Sequence, residues 1–341
     1  MPTAAWYSLF GILLLASTAL TTAAGKCGVP AIAPITTSKK RLNRIVSGWE
    51  AKPHSLPWMV YMELEVDETI AMCAGSLIDN GMGNGTDMVL TATHCVFYNN
   101  VFQPAGRLSV IVGAHNVDRV EDSFVYLKVR NYVTYLYNPE NDENDLTLMR
   151  LSEPVMYTRY VSPICLATPH TSTTTPTTCF GAGWGKTKKG NPSSALKMTR
   201  LNVLPSSECT YNDRDNRALC AENYYVNDLP CMGDSGSPLF CEVEGRYFLF
   251  GILSAGPSDC RSVKDFRLHY IKVDAFQDWI RKSIDKLRTA PDEGNNTEYE
   301  QQSILLPKRV PIGGLLSSNR PYIPGVKLIA ALNGFYEKQT N

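Results

Sequence analysis

Ten cysteines, Cys27, Cys73, Cys95, Cys165, Cys179, Cys209, Cys220, Cys231, Cys241 and Cys260, constrain this chain more than any other feature. Their number is even, and no C-x-x-C pair suggests a zinc site, so the natural reading is five disulfides formed in an oxidising compartment. Composition does not say which cysteine joins which. The N-terminus agrees with export: an apolar run from Leu9 to Leu20 precedes the small residues Thr22, Ala23 and Ala24. The run is short for a bilayer span, and residues 1–24 read as a signal peptide, although no lysine or arginine precedes the run. The expected location is extracellular.

Of the 341 residues, 44% are apolar, enough for a substantial core. Lysine and arginine number 33, aspartate and glutamate 33. A balanced chain has no global field to draw it to nucleic acid or an anionic membrane, so neither is expected as a partner. Residues 25–44 are rich in Pro and Thr with a basic end, the character of an exposed, cleavable segment. From residue 45 to 288, stretches such as RLSVIVGA, SFVYLKVRNYV and RYFLFGILSA alternate with Gly, Asn and Pro clusters, a β-rich pattern. The stretch VDAFQDWIRKSIDKL closes this region. Phe276, Trp279, Ile280, Ile284 and Leu287 recur there at helical spacing, with Asp274 placed to cap the first turn. Residues 289–341 read as a poorly ordered extension. No internal repeat is visible. Asn84 and Asn295 lie in glycosylation sequons; Asn191 is followed by proline and is excluded.

The segment LPCMGDSGSPLF, residues 229–240, packs two serines, an aspartate and two glycines between a cysteine and a proline. Alone it reads as a turn. Three further segments change that reading: IVSGWEAKPHSLPWMV at 45–60, TATHC at 91–95 and NDLTLMRL at 144–151. Together, in the order His, Asp, Ser, the four motifs resemble the chymotrypsin/trypsin family of serine proteases, over residues 45 to about 287. The resemblance implies an all-β fold of two perpendicular antiparallel six-stranded barrels with a C-terminal helix. It also implies roles. Ser235 is the nucleophile, His94 its base, and Asp145 the group that orients the imidazole and stabilises the imidazolium. Backbone N–H groups of Gly233 and Ser235 form the oxyanion hole. Taken singly, each of these side chains has a structural reading; their joint order favours catalysis. His54, His115, His170 and His269 lack such surroundings and read as surface or structural.

In the family, cutting before an Ile-Val pair frees an ammonium that pairs with the aspartate preceding the nucleophile. Here that implies cleavage after Arg44, a new N-terminus at Ile45, and pairing with Asp234. Arg41 is a competing cut site. The resemblance further implies the pairs Cys73–Cys95, Cys179–Cys241, Cys209–Cys220, Cys231–Cys260 and Cys27–Cys165, the last tethering the propeptide.

Several positions depart from the family pattern. Ser237 stands for the second glycine of GDSGGP and Ser47 for the first of IVGG, which suggests a small shift in loop geometry where φ > 0 is needed. Leu229 occupies the position of the aspartate that gives Arg/Lys specificity. Ala255 replaces the usual tryptophan, while Gly256 is retained for pairing with substrate backbone. The opposite wall of the pocket is Arg267 when counted from Cys260 and Leu268 when counted back from HYIKV. Leu268 would make a shallow apolar pocket and Arg267 would favour an acidic P1 residue; the first is preferred. The loop VGAHNVDRVED resembles the family's calcium loop, but Ala114 stands where a glutamate ligand belongs, and no metal is expected. The expected protein is thus a secreted zymogen of a serine endopeptidase without cofactor. Its expected partners are protein or peptide substrates, an activating protease and protein inhibitors. Two alternatives are a catalytically silent homologue that binds a partner, and a disulfide-stapled binding module using the tail as its arm.

Overall fold

The computed structural model describes residues 27–36, 48–173, 178–205, 208–209, 216–224, 229–257, 259–260 and 266–290. The expected signal peptide, Ser47, Arg41, Arg44, Ile45, Asn295 and nearly all of the extension lie outside the described residues. Twelve strands build two barrels. The first is β1 (Met59–Val66), β2 (Thr69–Ile78), β3 (Gly85–Thr91), β4 (Leu108–Val112), β5 (Val125–Thr134) and β6 (Thr147–Met156). They close in the order β1-β2-β3-β6-β5-β4, with β4 pairing back onto β1. The second is β7 (Cys179–Gly183), β8 (Lys197–Val203), β9 (Ala218–Asn223), β10 (Pro238–Val243), β11 (Arg246–Ala255) and β12 (Leu268–Lys272). Its order is β8-β7-β10-β11-β12-β9, closed by β9 pairing with β8. All these pairings are antiparallel, and closure leaves neither barrel with a free sheet edge.

Local chemistry accounts for the hairpins. β10 and β11 are joined by Glu244 and Gly245, both at positive φ (51° and 76°), the two-residue turn whose twist suits flanking strands. The β4 sequence LSVIV is buried at every position because a closed barrel presents its inner face to its own core and its outer face to packed neighbours. Trp58, fully buried, sits against Phe240 and Tyr247 at 5.6 and 5.5 Å between ring centroids, so a residue preceding β1 packs on β10 and β11. The larger apolar cluster therefore runs through both barrels, and a second one fills part of the second barrel.

The last barrel strand runs into a 3-10 turn, Val273–Phe276, and then the helix Gln277–Thr289. Phe276, Ile280 and Leu287 are buried, and Trp279 and Ile284 pack against the core at its margin. Tyr135 of the first barrel meets Phe276 and Trp279 edge-on at 5.1 and 5.6 Å. Arg150 of β6 ties the helix end by donating to Leu287 O at 2.9 Å while its Nε binds Asp87 Oδ2 at 2.8 Å. Asp274 does not cap this helix. The chain enters through 3-10 geometry, which places Asp274 inside the turn, and its carboxylate instead lies 3.6 Å from Lys272 Nζ.

Five disulfides join Cys27–Cys165, Cys73–Cys95, Cys179–Cys241, Cys209–Cys220 and Cys231–Cys260. Cross-links of this kind stabilise chiefly by restricting the unfolded chain, by about 2 to 4 kcal/mol each. Asn84 is exposed in the turn before β3.

Candidate active site

Three loops at the junction of the barrels carry the candidate residues. His94 lies in a 3-10 turn, Thr93–Cys95, directly after β3, and is fixed by the Cys73–Cys95 disulfide. Thr93 Oγ1 meets Thr147 Oγ1 at 3.0 Å, bracing that turn against the start of β6. Asp145 stands two residues before β6 and is fully buried. Its Oδ1 accepts the backbone N–H of His94 at 2.8 Å, and its Oδ2 faces His94 Nδ1 at 2.7 Å. Two bonds to one residue fix both the imidazole plane and its tautomer, with the proton on Nδ1. Burial favours neutral forms of both groups. The mutual attraction of ring and carboxylate, with bonds from Ser254 and the His94 N–H, outweighs burial and holds Asp145 below the usual carboxylate range. For His94, burial would lower the pKa, but Asp145 and the nearby Asp142 raise it above its ordinary value.

Ser235 belongs to the turn before β10. Its carbonyl accepts the N–H of Ala74 on β2 at 2.8 Å, a bond from one barrel to the other. Gly236, at φ 77°, passes so close to Thr91 and Ala92 that an added Cβ would lie 2.3 Å from Thr91 Oγ1. Only glycine satisfies both demands, and the tight passage seats Ser235 beside the segment that leads into His94. The structure joins His94 and Asp145 by hydrogen bonds but makes none between His94 and Ser235. Among the described residues, His94 Nε2 is buried and has no partner. Such bonds commonly tighten only in the substrate complex. The backbone N–H groups of Gly233 and Ser235 likewise donate to no group among the described residues.

Asp234 points the other way, into the second barrel. Its Oδ1 accepts Gly185 N at 2.7 Å and its Oδ2 accepts Cys231 N at 2.9 Å. Burial pushes its pKa up to about 6, with the two N–H bonds opposing. A side chain on Gly185 would collide with the carboxylate, at 2.5 Å from a Cβ. A recess lined by Gly183, Gly185, Lys186, Leu229 and Asp234 adjoins this carboxylate.

The pocket candidates are also placed. Leu229 and Leu268 are buried in one apolar cluster with Leu253 and Tyr270. β12 pairs Leu268 with Ala221 of β9, which turns its side chain inward, whereas Arg267 is exposed and donates to Glu208 O. The register thus separates the two counts of this wall. A Cβ on Gly256 would lie in ordinary contact with Leu268 Cδ2 at 3.4 Å and Pro230 O at 3.6 Å, so Leu268 borders Gly256. Ala255 is buried opposite His269. At Ser237 the positive φ falls on the preceding Gly236, and Ser237 N bonds Asp234 O at 3.0 Å.

Two groups of possible metal donors can be placed. Cys73, His94 and Cys95 converge within 4.8 Å, but the two sulfurs are joined and offer no thiolate. In the loop after β4, Glu121 Oε2 is engaged by His115 N at 2.8 Å, and Ser194 donates to Asp118. His115 is buried against Glu50 at 3.0 Å, His54 lies 3.9 Å from Glu121 Oε2 and 4.7 Å from the Tyr160 ring, and His269 is buried in β12. Ser254, which donates to Asp145 Oδ2 at 2.7 Å, was missed by sequence reasoning, as was Asp142. A serine within a strand and one acid within the run NPENDENDL carry no distinguishing signal.

Two closed antiparallel barrels with a histidine–aspartate pair where they meet define the two-barrel serine hydrolase class. Within it, the family model described as Trypsin matches residues 45–280, and the chain belongs to the trypsin family of serine peptidases. A domain of this family with several disulfides is typical of secreted proteins. Among the described residues no helix is long and apolar enough to cross a membrane.

Proposed function

We propose that the protein is a secreted serine endopeptidase, made as a zymogen and activated by cleavage after Arg44. The observation that carries this reading is the His94 Nδ1 to Asp145 Oδ2 contact of 2.7 Å together with a buried, unpartnered Nε2 on the same ring. With Nδ1 protonated, Nε2 holds the lone pair that takes the proton of Ser235 Oγ as the hydroxyl attacks a peptide carbonyl. The carbonyl oxygen becomes an oxyanion, stabilised by the N–H groups of Gly233 and Ser235. His94 then gives its proton to the leaving amine, an acyl-enzyme remains on Ser235, and water repeats the sequence to release the acid. No cofactor enters.

The boundaries we assign are a signal peptide at 1–24, a propeptide at 25–44, the catalytic domain at 45–288 and an extension beyond. In the cleaved form the Ile45 amine pairs with Asp234, replacing a buried carboxylate short of a cation by an ion pair. Substrates are proteins, and inhibitors that dock extended loops in the cleft are the natural regulators. The buried Leu268 beside Gly256, with Leu229 in place of an acid, supports a P1 preference for small or medium apolar side chains. Ala255 in place of the usual tryptophan favours a second reading, a silent homologue that binds without cleaving.

The experiment is to cut the purified chain after Arg44, confirm the Ile45 terminus, and measure Ser235 labelling by a serine-directed phosphonate beside cleavage of a peptide library. Labelling with cleavage after apolar residues is expected, and Ser235→Ala should lower turnover by about 10⁶-fold. A folded, correctly cut protein that neither labels nor cleaves would favour the silent homologue.

A further inference from the structure

Asn144, the residue before Asp145, has φ 58°, a left-handed conformation that asparagine tolerates better than most residues because its short amide can bond locally. Its carbonyl accepts Leu146 N–H at 2.7 Å, which closes a tight turn with Asp145 at its middle. This turn sets the direction in which the Asp145 carboxylate leaves the chain. Two bonds fix the Asn144 side chain: Nδ2 donates to Leu136 O at 3.2 Å, and Oδ1 accepts Arg217 Nη1 at 3.1 Å. A guanidinium only donates and a carbonyl only accepts, so one orientation of the amide satisfies both.

Arg217 comes from the other barrel. It immediately precedes β9, and its carbonyl accepts Lys272 N–H of β12 at 2.7 Å, so its backbone belongs to the second barrel's sheet. Its guanidinium carbon lies 5.7 Å from the centre of the Tyr135 ring and 5.8 Å from that of Phe276, both within cation–π range. Those rings meet edge-on, one from the first barrel and the other from the turn that enters the closing helix. One half-buried cation therefore joins both barrels and the helix entry. Stacking on the rings asks only for a planar cation; the bond to Asn144 adds direction, and it ends on the residue whose backbone sets Asp145.

We propose that Arg217 is a positioning residue of the active site, holding Asn144 so that its turn presents Asp145 to the imidazole of His94. It touches neither substrate nor the reacting atoms. Without it an uncommon φ keeps one side-chain bond fewer, and fewer molecules have both Asp145 bonds to His94 formed. The proposal deepens the peptidase reading above, and its kinetic test rests on that reading.

The test uses the full chain cut after Arg44, with Arg217→Ala, Arg217→Lys, Asn144→Gly, and Asn144→Gly combined with Arg217→Ala. Glycine accepts the left-handed φ but offers no amide for Arg217 to hold. Arg217→Ala is expected to lower kcat by about tenfold with KM changed less than about twofold, since small misplacements at a reacting centre have effects of this size or larger. The acid limb of kcat/KM should move to lower pH, because burial lowers the His94 pKa and Asp145 is the largest influence raising it. The downfield Nδ1 proton of His94 should weaken or move upfield in the NMR spectrum. Arg217→Lys, a cation without the planar fork, should recover part of kcat. In the Asn144→Gly background Arg217→Ala should change kcat less than about twofold, the non-additivity of two groups acting as one unit. An unchanged kcat and pH limb in Arg217→Ala, or a rise in KM alone, overturns the assignment. So does an equal loss with and without Asn144, which would show that Arg217 acts through its ring contacts. If Arg217→Ala yields no folded protein, Arg217→Lys alone and in the Asn144→Gly background decides by the same criteria, with a smaller loss expected. A wild-type chain that neither labels with phosphonate nor cleaves removes the peptidase reading, and the His94 Nδ1 proton then decides the role of Arg217 by itself.

Discussion

Ser254 donates to Asp145 Oδ2 at 2.7 Å, the same oxygen that faces His94 Nδ1 at 2.7 Å. Ser254 comes from β11 of the second barrel and Asp145 from the first, so the bond spans the cleft. It fills a lone pair of a fully buried carboxylate and helps keep it ionised beside the ring.

Removing that donor should loosen the carboxylate without touching Ser235. A hydrogen bond to a charged group contributes about 1.5 to 3 kcal/mol. Ser254→Ala is therefore expected to lower kcat by about 10- to 100-fold with KM little changed, and Ser254→Thr, which keeps the hydroxyl, to recover part of the loss. Steady-state kinetics on peptides decides. A KM effect with kcat intact would show that Ser254 serves substrate binding instead.

The pH profile follows from His94. In the proposed mechanism the base is neutral, and Asp145 and Asp142 raise the His94 pKa above its ordinary value of 6.5 against the effect of burial. The acid limb of kcat/KM should accordingly fall above pH 6.5, with activity lost as pH drops through it. Asp142 accepts the hydroxyl of Tyr137 at 2.7 Å and acts on His94 only through its charge. Asp142→Asn should shift the limb to lower pH. An unmoved limb would mean that Asp142 is neutral in the working enzyme, which its own upward shift, from burial and Asp145, would then explain.

The barrels were legible because their strands announce themselves: RLSVIVGA contains β4 and RYFLFGILSA is β11 residue for residue. The candidate triad was legible through order and context, since each member sits in a short loop against a strand. Interactions made across the two barrels were not. Ser254 is an ordinary strand serine until β11 is brought to Asp145. Burial at seven of the eight positions of MVYMELEV could not be read either, since Tyr61 is covered by Trp184, 5.7 Å away between ring centroids and distant in sequence. The choice between Arg267 and Leu268 needed a strand register, which residue counting through the preceding loop does not supply.

Asp234 makes the stability of the uncut chain depend on pH. Burial raises its pKa from 3.8 to about 6, so the folded chain holds this proton more tightly than the unfolded one. Stability must then fall as pH rises from about 4 to about 6, by an amount on the order of 3 kcal/mol. Urea unfolding of the uncut chain compared with Asp234→Asn should show that difference grow over this range and level off above it. After cleavage at Arg44 the Ile45 amine should abolish the dependence. A constant difference across pH would argue that water or another donor already compensates the carboxylate.

The segment before the proposed cleavage point should remain attached after it. Cys27 is bonded to Cys165, and Gly28 is built into the domain: its N–H donates to Pro163 O at 2.8 Å and its carbonyl accepts Tyr247 N–H at 2.9 Å. Further along, Ile35 O receives the indole N–H of Trp49 at 3.0 Å. An added Cβ on Gly28 would meet Tyr247 O at 2.2 Å, so the turn is seated against the second barrel. After cutting at Arg44, non-reducing electrophoresis should show a single species of the uncut mass and reduction should release a short N-terminal peptide. With Cys27→Ser and Cys165→Ser combined, the peptide should dissociate without reductant, because two backbone bonds contribute only about 1 kcal/mol each. The domain should lose about 4 to 5 kcal/mol of stability in the uncut double variant, since the link closes a loop of 138 residues. Retention of the peptide by the double variant through gel filtration would place the binding energy in the residues 27–36 themselves and make the disulfide redundant as a tether.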